Sequence, residues 1–228
     1  MPKKSTFKAK VCVFDIETLA DPEMEKLLPP VKAAGNLKDP EKIKADIEEK
    51  TKKRKAEMGL NPLQNLVCCV AIHDLQGGIS QAILMDKDGS GESEKLVLEK
   101  TWEALSKYDC FVSFNGNEFD CRVLSLNSVK RRVRQSVSID TRRYYIGNHL
   151  DIRALLGNWE KFAPGTLDYY MKIFFGEDEG KPDNMDGSLV QHMWDMGMYD
   201  ELAAYAISDV DNTGRLYELI NDYTGPFF

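Results

Sequence analysis

The stretch Val11-Cys12-Val13-Phe14-Asp15-Ile16-Glu17-Thr18 constrains the fold more than any other part of the chain. Four apolar residues lead into two acids separated by one apolar residue. A continuous apolar run suits a strand covered on both faces, so a buried strand is expected from about Lys10 to Glu17. Two positions apart on a strand, Asp15 and Glu17 leave the same face roughly 6.6 Å from one another. At the end of a buried strand such carboxylates repel each other and lose solvation. A hard divalent cation with oxygen ligands is the usual remedy, and a solvated strand end is the alternative for this pair taken alone.

The rest of the chain predicts a mixed α/β order. Asp21-Pro22 and Pro29-Pro30 break the first strand into a loop. Asp39-Pro40 has the form of an N-cap followed by proline in the first turn, opening a charged helix over Glu41–Met58 that Gly59 stops. Its apolar stripe is narrow, which places it on the surface as a solvated insertion, a flap near substrate or a partner contact. Strands over Leu66–Ile72 and Ile79–Met85 flank the Gln76-Gly77-Gly78 turn as a hairpin. A helix over Glu92–Lys107, a strand at Cys110–Phe114, and a helix from Phe119 to about Val129 follow. Next come a short strand at Leu150–Ile152 and a helix over Thr166–Phe175. Ser188 caps a helix ending near Gly197, and a long helix spans Tyr199–Ile220. Hairpin strands imply antiparallel pairing and the later crossovers parallel pairing, as in an RNase H-like five-stranded sheet flanked by helices.

At 228 residues the chain fits one domain, 1–228, with the charged helical insertion at about 36–60. The five cysteines form no CxxC pair and sit mostly in apolar runs, which predicts buried thiols rather than disulfides or zinc ligands. No apolar run is long enough to span a membrane, and Met1–Lys10 lacks the apolar core of a leader, so a cytoplasmic protein is expected. The net charge of −7 argues against a sequence-blind polyanion coat. It leaves room for a metal-dependent nuclease, whose ions offset the site's carboxylates.

Further acids complete a set. Asp120 opens the helix after the fourth strand, and Asp209 lies on the last helix with Tyr205 one turn earlier on the same face. Four carboxylates suffice to hold two divalent ions ~4 Å apart, as in-line phosphoryl transfer requires. The segments Asp15-Ile16-Glu17-Thr18, Phe114-Asn115-Gly116-Asn117-Glu118-Phe119-Asp120 and Tyr205-Ala206-Ile207-Ser208-Asp209 resemble the three motifs of the DEDD superfamily of 3′–5′ exonucleases. The tyrosine four before the last acid is similar to the tyrosine subgroup, since the sister subgroup has histidine where this chain has Ala204. Asn115 and Phe119-Asp120 resemble the proofreading domain of family-B DNA polymerases. Leu150-Asp151-Ile152, Thr166-Leu167-Asp168, Lys181-Pro182-Asp183 and Asp186-Gly187-Ser188 resemble its stand-alone relatives. The likeness covers residues 11–18 and, with gaps, about 111–217; the segment from about 21 to 62 has no counterpart.

The resemblance implies two Mg²⁺ or Mn²⁺ ions. Asp15 bridges both, Glu17 and Asp209 hold the ion that carries the attacking water, and Asp120 holds the other partly through water. It implies that Glu17 touches the terminal 3′ hydroxyl and that Tyr205, a phenol with an ordinary pKa near 10, orients water. It places Thr18, Leu19, Asn115 and Phe119 against a single-stranded nucleic acid, with DNA favoured, and allows a polymerase or repair protein as a partner in trans. Asn115 is equally well read as a turn residue, and Asp151 and Asp168 as caps. His73, His149 and His192 are read as structural or surface residues.

Arg131, Arg132 and Arg134, with Arg142 and Arg143, form the one strongly basic stretch. It is either a phosphate-tracking rim or a solvated helix end. Beside the exonuclease stand two other readings: an RNase H-like endonuclease and an inactive nucleic-acid-binding module.

Overall fold

In the computed structural model, which describes residues 9–160, 165–177 and 189–228, the apolar run opens β1 (Val11–Ala20) at the centre of one sheet. With β2 (Asn65–Asp74), β3 (Ile79–Leu84), β4 (Cys110–Ser113) and β5 (His149–Asp151), the order is β3-β2-β1-β4-β5. β1 pairs antiparallel with β2, which turns back antiparallel into β3, while β1–β4 and β4–β5 are parallel. This is the mixed five-stranded α/β sheet that the element order predicts. β1 runs past Glu17 because Leu19 and Ala20 still find partners in Leu66 and Asn65. The register slips between Glu17 and Thr18, leaving Cys68 without a partner on β1, as a bulge beside the two acids.

Two short helices escape the sequence reading. Asp21 caps α1 (Pro22–Glu25), its carboxylate accepting from the Glu23 N–H at 2.8 Å. The Asp-Pro logic applied at Asp39-Pro40 holds here as well. Asp39 caps α2 (Pro40–Gly59) by accepting from the Glu41 N–H at 2.9 Å, and Met58 alone among the α2 residues is buried. Ser90 caps α3 (Gly91–Leu105), and α4 spans Asp120–Arg131. Ile152, expected to end a strand, instead begins α5 (Ile152–Leu156), because Asp151 caps that helix by accepting from the Ala154 N–H at 3.1 Å. α6 (Leu167–Phe175), α7 (Val190–Asp195) and α8 (Tyr199–Thr224) complete the chain. Lys181-Pro182-Asp183, Asp186-Gly187-Ser188 and the first eight residues lie outside the described residues.

α8 packs along β1, β2, β3 and β4, and α3 packs against β2 and β3. Leu202, Ala206, Val210, Tyr217 and Ile220 recur at helical spacing and are buried, so one stripe of α8 faces the sheet. Each fully buried large side chain, such as Phe14, Leu98 or Leu202, contributes about 1.5–3 kcal/mol. The five cysteines carry free thiols, four of them buried. Among the described residues no helix is long and apolar enough to cross a membrane.

Candidate functional site

Strand alternation sends Asp15 and Glu17 out on one face of β1, and α8, packed on that strand, brings Asp209 to them. One carboxylate oxygen from each of these three residues lies within 4.8 Å of the others. Asp15 is half-buried, while Glu17 and Asp209 are only 7% and 8% exposed, so their mutual repulsion is poorly screened. The donor set is all hard oxygen, which suits Mg²⁺ or Mn²⁺ and not a thiolate-preferring metal. Cys69, opposite Glu17 on β2, is not part of that group, and burial, then the charges of Glu17 and Asp15, push its thiol well above the usual range. Tyr205, 8% exposed, sits one helical turn before Asp209.

Asp120 is not among the three carboxylates that meet within 4.8 Å. As the first residue of α4 it is buried, and its Oδ1 accepts the Ile16 N–H at 3.1 Å, between the two β1 acids. Burial first, then the charges of Asp151 and Asp209, push its carboxyl up to about 7. An unfolded aspartate titrates near 3.9, so the folded chain holds this proton more tightly. The stability it contributes is fully present below about pH 4 and is lost as pH rises through about 7. In chelator, the melting temperature should therefore fall across that window. Asp120→Asn keeps an acceptor for Ile16 without a charge and should flatten the fall; a parent profile already as flat as the variant's would contradict this account.

The turn ahead of α4 is built on a residue that sequence reasoning treated only as a cap. Asp151 is buried and accepts three backbone N–H groups, from Asn115 at 2.9 Å, Asn117 at 3.0 Å and Ala154 at 3.1 Å. Asn115 adopts φ 70°, and its Oδ1 accepts from Arg153 at 2.8 Å, which makes it a turn residue whose side chain is anchored. A Cβ on Gly116 would collide with the Ser113 side chain, so only glycine lets the chain turn here. Ser113 in turn bonds His149 Nε2 at 2.8 Å, and His73 Nδ1 bonds Ser80 at 2.7 Å, so both histidines are structural. His192 is exposed on α7.

Phe119 is partly buried against the core, and the Thr18 hydroxyl donates to the Gly59 carbonyl at 2.7 Å. Two expected strand contacts need correction. Leu19 is 3% exposed and belongs to the core, with no surface to offer a strand. Arg131 turns inward: its guanidinium meets Glu94 at 2.6 Å, Asp21 at 2.9 Å and Glu23 at 3.1 Å. Lys130 joins the cluster through Asp21 at 3.1 Å, and Glu94 also accepts the Val67 N–H at 2.8 Å. A run of arginines in sequence does not say which of them faces water; here α4 continues through Arg131 and points it at buried acids. Arg132, in the left-handed cap position, and Arg134 remain exposed. Arg142 is held by Asp140, and Arg143 donates to the Trp159 carbonyl at 2.5 Å.

A family model described as a predicted 3′–5′ exonuclease related to the exonuclease domain of PolB matches residues 60–227. The chain belongs to that family. Two of the three motifs of this PolB-related exonuclease domain, at 114–120 and 205–209, lie inside the match; β1 lies before it and is joined to them by the geometry above. The fold is similar to that of the family B DNA polymerase from the hyperthermophilic archaeon Pyrobaculum calidifontis, with a TM-score of 0.58 at 17% identity. That likeness covers 93% of this chain and 24% of the polymerase chain. No curated protein matches. The PolB-related match begins after α2, so the charged helix lies outside it.

Proposed function

We propose that this PolB-related domain is a metal-dependent 3′–5′ exonuclease acting on single-stranded nucleic acid, with DNA favoured from the kinship to a polymerase's exonuclease domain. The observation that carries the reading is the convergence of Asp15, Glu17 and Asp209 within 4.8 Å, in a family-matched chain, with Tyr205 one turn away. Asp15, Glu17 and Asp209 would hold a divalent cation, and Asp120, one oxygen already bonded to Ile16, would reach a second through water. Bound there, Mg²⁺ or Mn²⁺ would lower the pKa of a water and offset charge on the phosphate. Glu17 would receive the terminal 3′ hydroxyl, and the Tyr205 hydroxyl would orient the reacting water. Water adds to the last phosphodiester, the bond to the penultimate 3′ oxygen breaks, and a nucleoside 5′-monophosphate leaves a strand shorter by one. Arg132 and Arg134 are candidates for phosphate contacts outside the acids. A polymerase or repair protein could draw on such an activity in trans.

The test is product analysis on labelled single strands of DNA and RNA. Nucleoside 5′-monophosphates that appear from the first turnover with Mg²⁺ or Mn²⁺, and vanish with chelator, are the expected result. Short oligonucleotides as first products would replace this reading with internal cutting.

A further inference from the structure

α2 is segregated in charge. Pro40–Glu49 carries four acids and two lysines, whereas Lys50–Gly59 carries five cations and one acid, in a chain of net charge −7. The basic half is the half anchored at the acids. Its last residue, Gly59, accepts the Thr18 hydroxyl at 2.7 Å, and Thr18 directly follows Glu17. On the other side, Gln191 of α7 accepts the Ala20 N–H at 3.2 Å, three residues or roughly 10 Å beyond Glu17. Between α2 and α7 runs a groove of about 760 Å³. Ile47, Ala56 and Leu189 give it apolar wall, and Lys52 and Lys55 line it with positive charge. Two acids also line it: Glu48, on the acidic half of α2 away from Gly59, and Asp195, which accepts from Gln191 at 3.0 Å.

We propose that this groove is a strand-binding subsite: a single-stranded nucleic acid leaving the three-carboxylate site lies between α2 and α7, its phosphates paired with Lys52 and Lys55 and its bases against the apolar wall. The inference rests on the exonuclease reading above and extends it to a helix outside the family match. Ile47 to Ala56 is nine residue steps, ~13.5 Å of helix, enough to lie along more than one nucleotide. Fixed cations along an otherwise acidic molecule draw the phosphodiester chain, and apolar wall accepts bases of any identity. The surface helix that the sequence left open thus has a task that its charge order explains.

Binding of a 12-nucleotide single strand to the full chain, with Ca²⁺ in place of Mg²⁺ or Mn²⁺ to hold back cleavage, tests this across 50–200 mM salt. Parent, Lys52→Ala/Lys55→Ala, Lys52→Arg/Lys55→Arg, and a distant control pair, Lys100→Ala/Lys107→Ala, are compared, each checked for an unchanged melting temperature. Losing two phosphate contacts should lower the slope of log affinity against log salt by about 1.4 and weaken binding about tenfold at low salt. In cleavage assays the same alanine pair should raise KM with little change in kcat. The arginine pair, which keeps both charges, should behave as the parent, and the control pair should not change the slope. A parental slope in the Lys52/Lys55 alanine pair, an equal drop in the control pair, or a loss in the arginine pair would overturn the subsite and leave the exonuclease reading standing. A parent that neither binds nor shortens the strand would overturn both.

Discussion

Asp209→Asn is expected to lose at least ~1,000-fold in cleavage rate, about 4 kcal/mol of transition-state stabilisation, while the protein stays folded. Asparagine matches the shape of the aspartate but removes one of three charges that meet within 4.8 Å, so the site loses ligand charge that the proposed cation would need. Removing that charge also relieves repulsion in the metal-free protein. Its melting temperature in chelator should therefore rise even as activity disappears, a trade of function for stability. Tyr205→Phe, one turn earlier, removes a hydroxyl and keeps the packing of an 8%-exposed ring. It should cost on the order of a hundredfold in rate, about 2.7 kcal/mol. Calorimetry with Mn²⁺ separates the roles, because affinity should fall for Asp209→Asn and hold for Tyr205→Phe. Equal loss of Mn²⁺ affinity in both would show that the division between ligand and water-orienting group is wrong.

The second large effect concerns stability. Arg131→Ala should destabilise the fold by about 3–5 kcal/mol in urea denaturation, since breaking one partner from a buried ion cluster leaves charges unpaired. Asp21 and Glu94 have fully buried side chains, and Arg131 is 12% exposed. Burial pushes the Glu94 carboxyl up, an effect that Lys130 and Arg131 oppose. The cluster ties α1, directly after β1, to α3 and α4, so its loss should loosen that end of β1 as well. A change below about 1 kcal/mol would return Arg131 to the solvent-facing role expected from sequence.

The two halves of the three-carboxylate group were legible from local spacing, and the resemblance to the DEDD motifs joined them. Period-two alternation puts Asp15 and Glu17 on one face, a four-residue step puts Tyr205 over Asp209, and neither inference needs a tertiary contact. The setting of Asp120 was not legible from its own segment. Its position behind Ile16 depends on a turn that Asp151 assembles from another strand. Arg131 and Leu19 were misplaced for a similar reason: a charge run or a strand end has two directions, and burial by α3, α1 and the sheet decides between them. α1 was missed because Pro22 was taken as a break, although the preceding aspartate makes it a helix start. The mixed antiparallel and parallel pairing of the sheet followed from element order, with β5 shortened by the cap that begins α5.

The central claim, metal-dependent removal of nucleotides from a 3′ end, meets its most direct test in a comparison of linear and circular single strands of one sequence. With Mn²⁺, the linear strand bearing a 3′ hydroxyl should shorten one nucleotide at a time from that end, a 3′-phosphorylated copy should shorten far more slowly, and the circle should stay intact. Cleavage of the circle at the rate of the open linear strand would contradict the account.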